Sequence, residues 1–164
     1  MSDAEFDLEE TRLTGLGGWL TIVGFGLIVT PIVIFNLLLT EHLPLFTDGS
    51  FALLTSESSE YYVPGLSFIM SYEILGNLIL IFASFYLLFL FFKKSKFFPS
   101  YFIYFRLFNV LFLALDIIFA KMIFPEEPIF DPTIARDLFQ VILAAAIWIP
   151  YMLRSRRVKN TFIS

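Results

Sequence analysis

Ionisable and amide side chains set inside apolar sequence are the residues of this chain best placed to do chemistry. Glu73, Asn77 and Ser84 stand in one apolar stretch, and Arg106, Asn109 and Asp116 stand in the next. At ~100° per residue the first three fall within roughly 40° on one helix face, and the second three within roughly 80°. Charges are expensive in hydrocarbon, so such residues face a bundle interior, a partner group or a water-filled cavity. Counted from the short connection between the two stretches, Asn77 and Asp116 reach similar depths, as do Ser84 and Asn109. Two readings follow. The stripes either hydrogen-bond between helices and fix their register, at about 0.6–2 kcal/mol per contact, or they line a polar cavity that binds a substrate or conducts protons. Asp116 is the sharpest of the six, with Asn77, Lys121 and Arg136 as candidate partners. Arg106 is close enough to one membrane face to snorkel toward it, and Glu73 is close enough to the other to meet water. On this reading Asp116→Ala costs more stability than Glu73→Ala.

Chemistry that needs a dedicated motif has little footing. The chain has no cysteine and a single histidine, His42 beside Glu41. That excludes disulfides and thiol nucleophiles and leaves no usual zinc ligand set. Ser50, His42 and Asp48 could be written as a hydrolytic triad, but nothing in the sequence brings them together. Gly15, Gly17, Gly18, Gly24 and Gly26 lack the following Lys-Ser/Thr of a phosphate-binding loop. Beside an apolar helix they permit close helix approach instead. The expectation is a non-enzymatic protein with no cofactor, no metal and no nucleic-acid partner.

The elements that position these residues are four long apolar stretches, at about residues 18–40, 72–92, 100–120 and 133–153. Each approaches the ~20 residues that cross a ~30 Å hydrocarbon layer as a helix. Of 164 residues 58% are hydrophobic and 22 are Phe, against a usual ~45–50% apolar for a soluble domain. The expected fold is all-α: a polytopic four-transmembrane-helix bundle, residues 18–153, with an acidic tail at 1–17 and a basic tail at 154–164. The first stretch is too long for a signal peptide and follows acidic rather than basic residues, so it reads as a retained span. Basic residues stay cytoplasmic. Lys93, Lys94 and Lys96 lie between the second and third stretches, and Arg154, Arg156, Arg157 and Lys159 follow the fourth, whereas 41–71 has no Lys or Arg. Both termini are therefore expected inside, with a long outer loop 41–71 that forms a short interfacial helix or an apolar flap. Asp131-Pro132 starts the last helix plausibly, through an Asp cap and a first-turn Pro. Pro31 and Pro150 are expected to bend their helices.

Two end segments carry a resemblance. Gly17-Gly18-Trp19-Leu20 opens the first stretch; Trp148-Ile149-Pro150-Tyr151 and then Ser155-Arg156-Arg157-Val158-Lys159 and Thr161-Phe162 close the chain. Together they resemble a family of small four-helix bacterial inner-membrane proteins of unassigned function. The resemblance implies four helices and a bacterial inner (plasma) membrane, and no activity. It marks Trp19, Trp148, Tyr151, Arg156, Arg157 and Lys159 as a cytoplasmic rim for lipid or protein contact. The first functional expectation is thus a partner- or lipid-binding membrane component, possible as a homo-oligomer. The alternative is a small transporter or channel using the polar residues of the second and third stretches.

Overall fold

A computed structural model describes residues 14–126 and 132–163; the acidic run at 1–13 and Asp131 lie outside them. All regular elements among these residues are helices. They are α1 (Trp19–Thr47), α2 (Ser50–Thr55), α3 (Leu66–Phe92), α4 (Phe98–Ile123), α5 (Pro132–Arg154) and α6 (Arg156–Thr161). Helices α1, α3, α4 and α5 are the four long enough and apolar enough to cross a membrane. Their outward faces remain apolar, as lipid contact requires: Phe25, Phe82, Phe89 and Phe139 are all exposed.

Two of the helices outrun their apolar stretches. Helix α1 continues past residue 40 through a π turn, Leu38–His42, in which the Leu43 N–H bonds the Leu38 carbonyl. Hydropathy ends the span at Glu41-His42, but the imidazole finds a partner inside the bundle and the helix carries on to Thr47. Helix α3 starts at Leu66 instead of 72, after Gly65 at φ +87°. Its early polar residue Ser71 is accommodated because its hydroxyl donates to the Ser67 carbonyl at 2.7 Å. The connection expected as an interfacial helix or flap is thereby shortened. It contains α2, entered through Gly49 at φ +83° and an Asp48 Oδ1 that accepts the Ser50 N–H at 2.8 Å. Neither Pro31 nor Pro150 ends its helix.

Each long helix packs on its chain neighbour: α1 on α3, α3 on α4, α4 on α5. The two termini and the 93–97 connection share one end of the bundle, the termini end; α2 and the turn after α4 occupy the other, the loop end. The termini end is filled. Leu20, Leu27, Leu87, Phe98 and Phe102 are almost wholly inaccessible there. The Phe98 ring stacks on Phe162 at 4.5 Å and meets Phe91 at 5.2 Å. Phe91 fits because residue 24 is glycine, where a Cβ would sit 2.8 Å from the ring. The basic C-terminal segment does not hang free: α6 buries Val158, and Thr161 and Phe162 close over the bundle.

The α3–α4 seam rests on a second small residue. A Cβ at Gly76 would overlap the ring of Phe112, which lies 4.9 Å from the Tyr72 ring. The Tyr72 hydroxyl donates to the Phe112 carbonyl at 2.8 Å. Gly76→Val is therefore expected to lower stability by about 1–3 kcal/mol through overpacking. Thermal unfolding in detergent measures this, and adding Phe112→Leu should return part of the loss.

Candidate functional site

Toward the loop end, α1 and α5 do not pack extensively on each other, and a cavity of about 400 Å³ opens between the four long helices. Every long helix contributes polar groups to its wall: Glu41 and His42 from α1, Glu73 and Asn77 from α3, Asp116 from α4, and Asp137 from α5. Leu37, Phe112, Leu113, Ile117 and Ile134 supply the apolar remainder. A larger groove of about 540 Å³ between α1 and α3 is apolar throughout, lined by Pro31, Phe35, Phe82 and Phe85 among others. It is the kind of surface that lipid chains cover and it offers no orienting group.

The cavity is organised by one hydrogen-bonded pair of side chains. His42 is 8% exposed, and its Nε2–H donates to Oε2 of Glu73 at 2.9 Å. Glu73 in turn lies close enough to Asp116 for the two carboxyl groups to interact by charge. Two buried polar atoms of the group have no protein partner, His42 Nδ1 and Asp116 Oδ1. Nδ1 is an acceptor in the neutral ring and a second donor in the imidazolium. Buried polar atoms are usually satisfied, so this pair marks a place where binding capacity is held in reserve. The π turn that carries His42 is itself a form often met at functional sites. Among the described residues no three His, Cys, Asp or Glu side chains are grouped as a metal site requires.

Of the six polar residues expected inside the membrane, three converge here: Glu73, Asn77 and Asp116. The match in depth between Asn77 and Asp116 places both on one cavity. Ser84, Arg106 and Asn109 do not join them. Ser84 is fully buried within the termini-end packing, its hydroxyl unpartnered. Arg106 turns toward the termini end, its guanidinium 5.0 Å from the Phe102 ring centroid and 5.8 Å from that of Phe105. Its Nε is buried without a partner. Asn109 is half-buried outside the cavity. The expected partners of Asp116 also change. Lys121 donates to the Pro125 carbonyl, and Arg136 pairs with Asp137 at 3.2 Å.

Sequence reasoning missed His42, Glu41 and Asp137 as cavity residues. A signal for His42 existed: Leu27, Pro31, Leu38 and His42 are spaced by four, seven and four residues, the inward face of a helix. Ending the span at residue 40 put His42 in a loop.

The rim residues are assembled differently from a docking surface. Trp19 meets Trp148 at 6.1 Å edge-on, and Trp148 meets Tyr151 at 5.8 Å. Arg157 donates to the Thr14 carbonyl at 3.2 Å and Thr161 to the Gly15 carbonyl at 3.2 Å. A Cβ at Gly17 would lie 3.4 Å from Nη1 of Arg157, and Gly18 has φ +62°. The two motifs at opposite ends of the chain thus clasp one another. Arg154, Arg156 and Lys159 of the basic set stay exposed, as does Trp19, whereas Arg157 is half-buried.

Residues 13–163 match the model of a family described as "Protein of unknown function (DUF2569)". Over 74 residues the chain is 32% identical to "Inner membrane protein YdgK" of Escherichia coli (strain K12). That alignment covers 45% of this chain and 46% of the E. coli protein, so it spans less than half of either. No solved structure matches.

The geometry reverses the stability ranking expected from sequence. Glu73→Ala strands the buried His42, at a cost of about 1–3 kcal/mol, whereas Asp116→Ala removes a carboxyl that already lacks a partner on one oxygen. Thermal unfolding of the two variants in detergent should show the larger drop for Glu73→Ala.

Proposed function

This chain belongs to the family of unknown function that its residues 13–163 match, and we propose that it is a non-enzymatic integral membrane protein that binds a ligand in the loop-end cavity. The observation that carries this reading is the convergence of polar side chains from all four long helices on one cavity. Its volume lies within the ~300–1,000 Å³ common to small-molecule sites. Polar groups this deep in an apolar bundle cost stability, and two of their atoms remain unpartnered. Sites built for binding commonly hold groups that are suboptimal for stability alone.

The membrane is the bacterial inner membrane, in line with the E. coli relative, and both termini are cytoplasmic. Lys93, Lys94, Lys96, Arg154, Arg156, Arg157 and Lys159 all belong to the termini end, and such residues stay on the cytoplasmic side. The cavity then opens away from the cytoplasm. At the rim, Trp19 contacts Trp148, and Trp148 contacts Tyr151, while Trp19 keeps an exposed face. Arg156 and Lys159 remain for anionic headgroups, at about 1 kcal/mol each near the surface.

Transport is the second reading. It is favoured by the one-sidedness of the cavity: side chains fill the termini half while the loop half is open. Proteoliposome flux of protons or small cations that disappears in Asp116→Asn is the expected outcome under that reading.

The absence of cysteine allows a direct test of the cavity. Single variants Ile117→Cys, in the wall, and Phe102→Cys, in the filled half, are treated in spheroplasts with the neutral, water-soluble 2-hydroxyethyl methanethiosulfonate. Ile117→Cys should react and Phe102→Cys should not. An unreactive Ile117→Cys, under conditions that modify the exposed loop variant Glu57→Cys, would remove the basis for a water-accessible site.

A further inference from the structure

We propose that the ligand of this cavity is an amphipathic organic cation, an ammonium or guanidinium head on an apolar body. The inference rests on the reading of the cavity as a binding site and adds the chemistry of what enters it.

The charges facing the cavity can be followed helix by helix. On α1 stand Glu41 and His42, on α3 Glu73, on α4 Asp116, and on α5 Asp137. The His42 Nε2–H is hydrogen-bonded to Glu73, and Arg136 answers the charge of Asp137. Lys121 is turned to the Pro125 carbonyl. Glu41 and Asp116 have no ion-pair partner among the described residues, so the wall carries acidic groups in excess. An acidic cleft with low-dielectric walls focuses its field and concentrates cations.

Hydrogen-bonding capacity points the same way. Asp116 Oδ1 is an unfilled acceptor, and His42, about nine-tenths buried, presents an unpartnered Nδ1. With His42 neutral and its Nε2–H given to Glu73, an N–H-bearing cation supplies donors to both Asp116 Oδ1 and His42 Nδ1, together with the Asn77 amide oxygen. An anion would meet acceptors and like charge, which is costly. A bare metal ion would need a closer set of ligands than the described residues provide. The rest of the wall (Phe112, Leu113 and Ile134) suits an apolar body.

The test extends the single-cysteine variant. Ile117→Cys is treated with methanethiosulfonates bearing a trimethylammonium, a hydroxyl or a sulfonate group, each rate divided by that reagent's rate with a free thiol in solution. The cationic reagent should react about tenfold faster than the anionic one, as expected for an acidic cleft. The preference should shrink on adding Asp116→Asn or, separately, Glu41→Gln, whose exposed side chain makes misfolding a poor explanation. 2-Phenylethylammonium should protect the thiol, and 2-phenylethanol and 3-phenylpropionate should not. If the neutral reagent reacts but the charged ones do so equally, or if the alcohol protects as well as the ammonium, the cation inference is wrong and the cavity stands. If the neutral reagent also fails, the binding cavity itself is overturned.

Discussion

The structure depends on how the termini end is closed. Phe91, Phe98, Phe102 and Phe162 pack with Leu20 and Leu27 into a filled plug, and glycine at 24 lets the Phe91 ring approach α1. The Arg157–Thr14 and Thr161–Gly15 bonds tie α6 to the segment before α1, and the Trp19–Trp148 contact ties α1 to α5, at this end. In lipid, helix association draws on close packing and interhelical bonds, because the apolar side chains gain little by leaving water. A bundle gathered at one end by large rings and small residues is free to open at the other. The cavity is a consequence of that asymmetry.

Within the open half a single hydrogen bond sets the order. His42 and Glu73 join α1 to α3 across 31 positions of sequence. Without that bond the polar pair Glu41-His42 would favour leaving the bundle, and α1 would have reason to end where its hydropathy does. The same pair leaves Asp116 beside Glu73 with an oxygen unfilled. Stability and binding capacity therefore pull on neighbouring groups in opposite directions, a usual sign of a site maintained for use.

Much of the architecture was legible from residue types alone. Four stretches of sufficient length and apolarity leave helices as the economical solution, because a lipid-exposed backbone must satisfy its own hydrogen bonds. The matched depths of Asn77 and Asp116 were legible too, through helical rise and a short connection. Ser84 and Asn109 do not share the cavity, Ser84 being fully buried in the filled half. Arg106 reaches toward Phe102 and the termini end, along the N-terminal lean of helical side chains. The motifs at the two ends read as a rim for partners, since a linear pattern carries no sign of whether its residues face outward or one another.

The sequence by itself determined the solvent: a chain with 22 Phe and four long apolar runs is specified for lipid. It also settled the antiparallel order of helices joined by short connections. Tertiary structure alone decided which polar residues meet. His42 reaches Glu73 because α1 continues through a π turn past its apolar run, and Asp137 reaches the cavity because α5 stands apart from α1. Composition fixes the energy of a residue in a medium. Only the packed arrangement fixes which neighbour it has there.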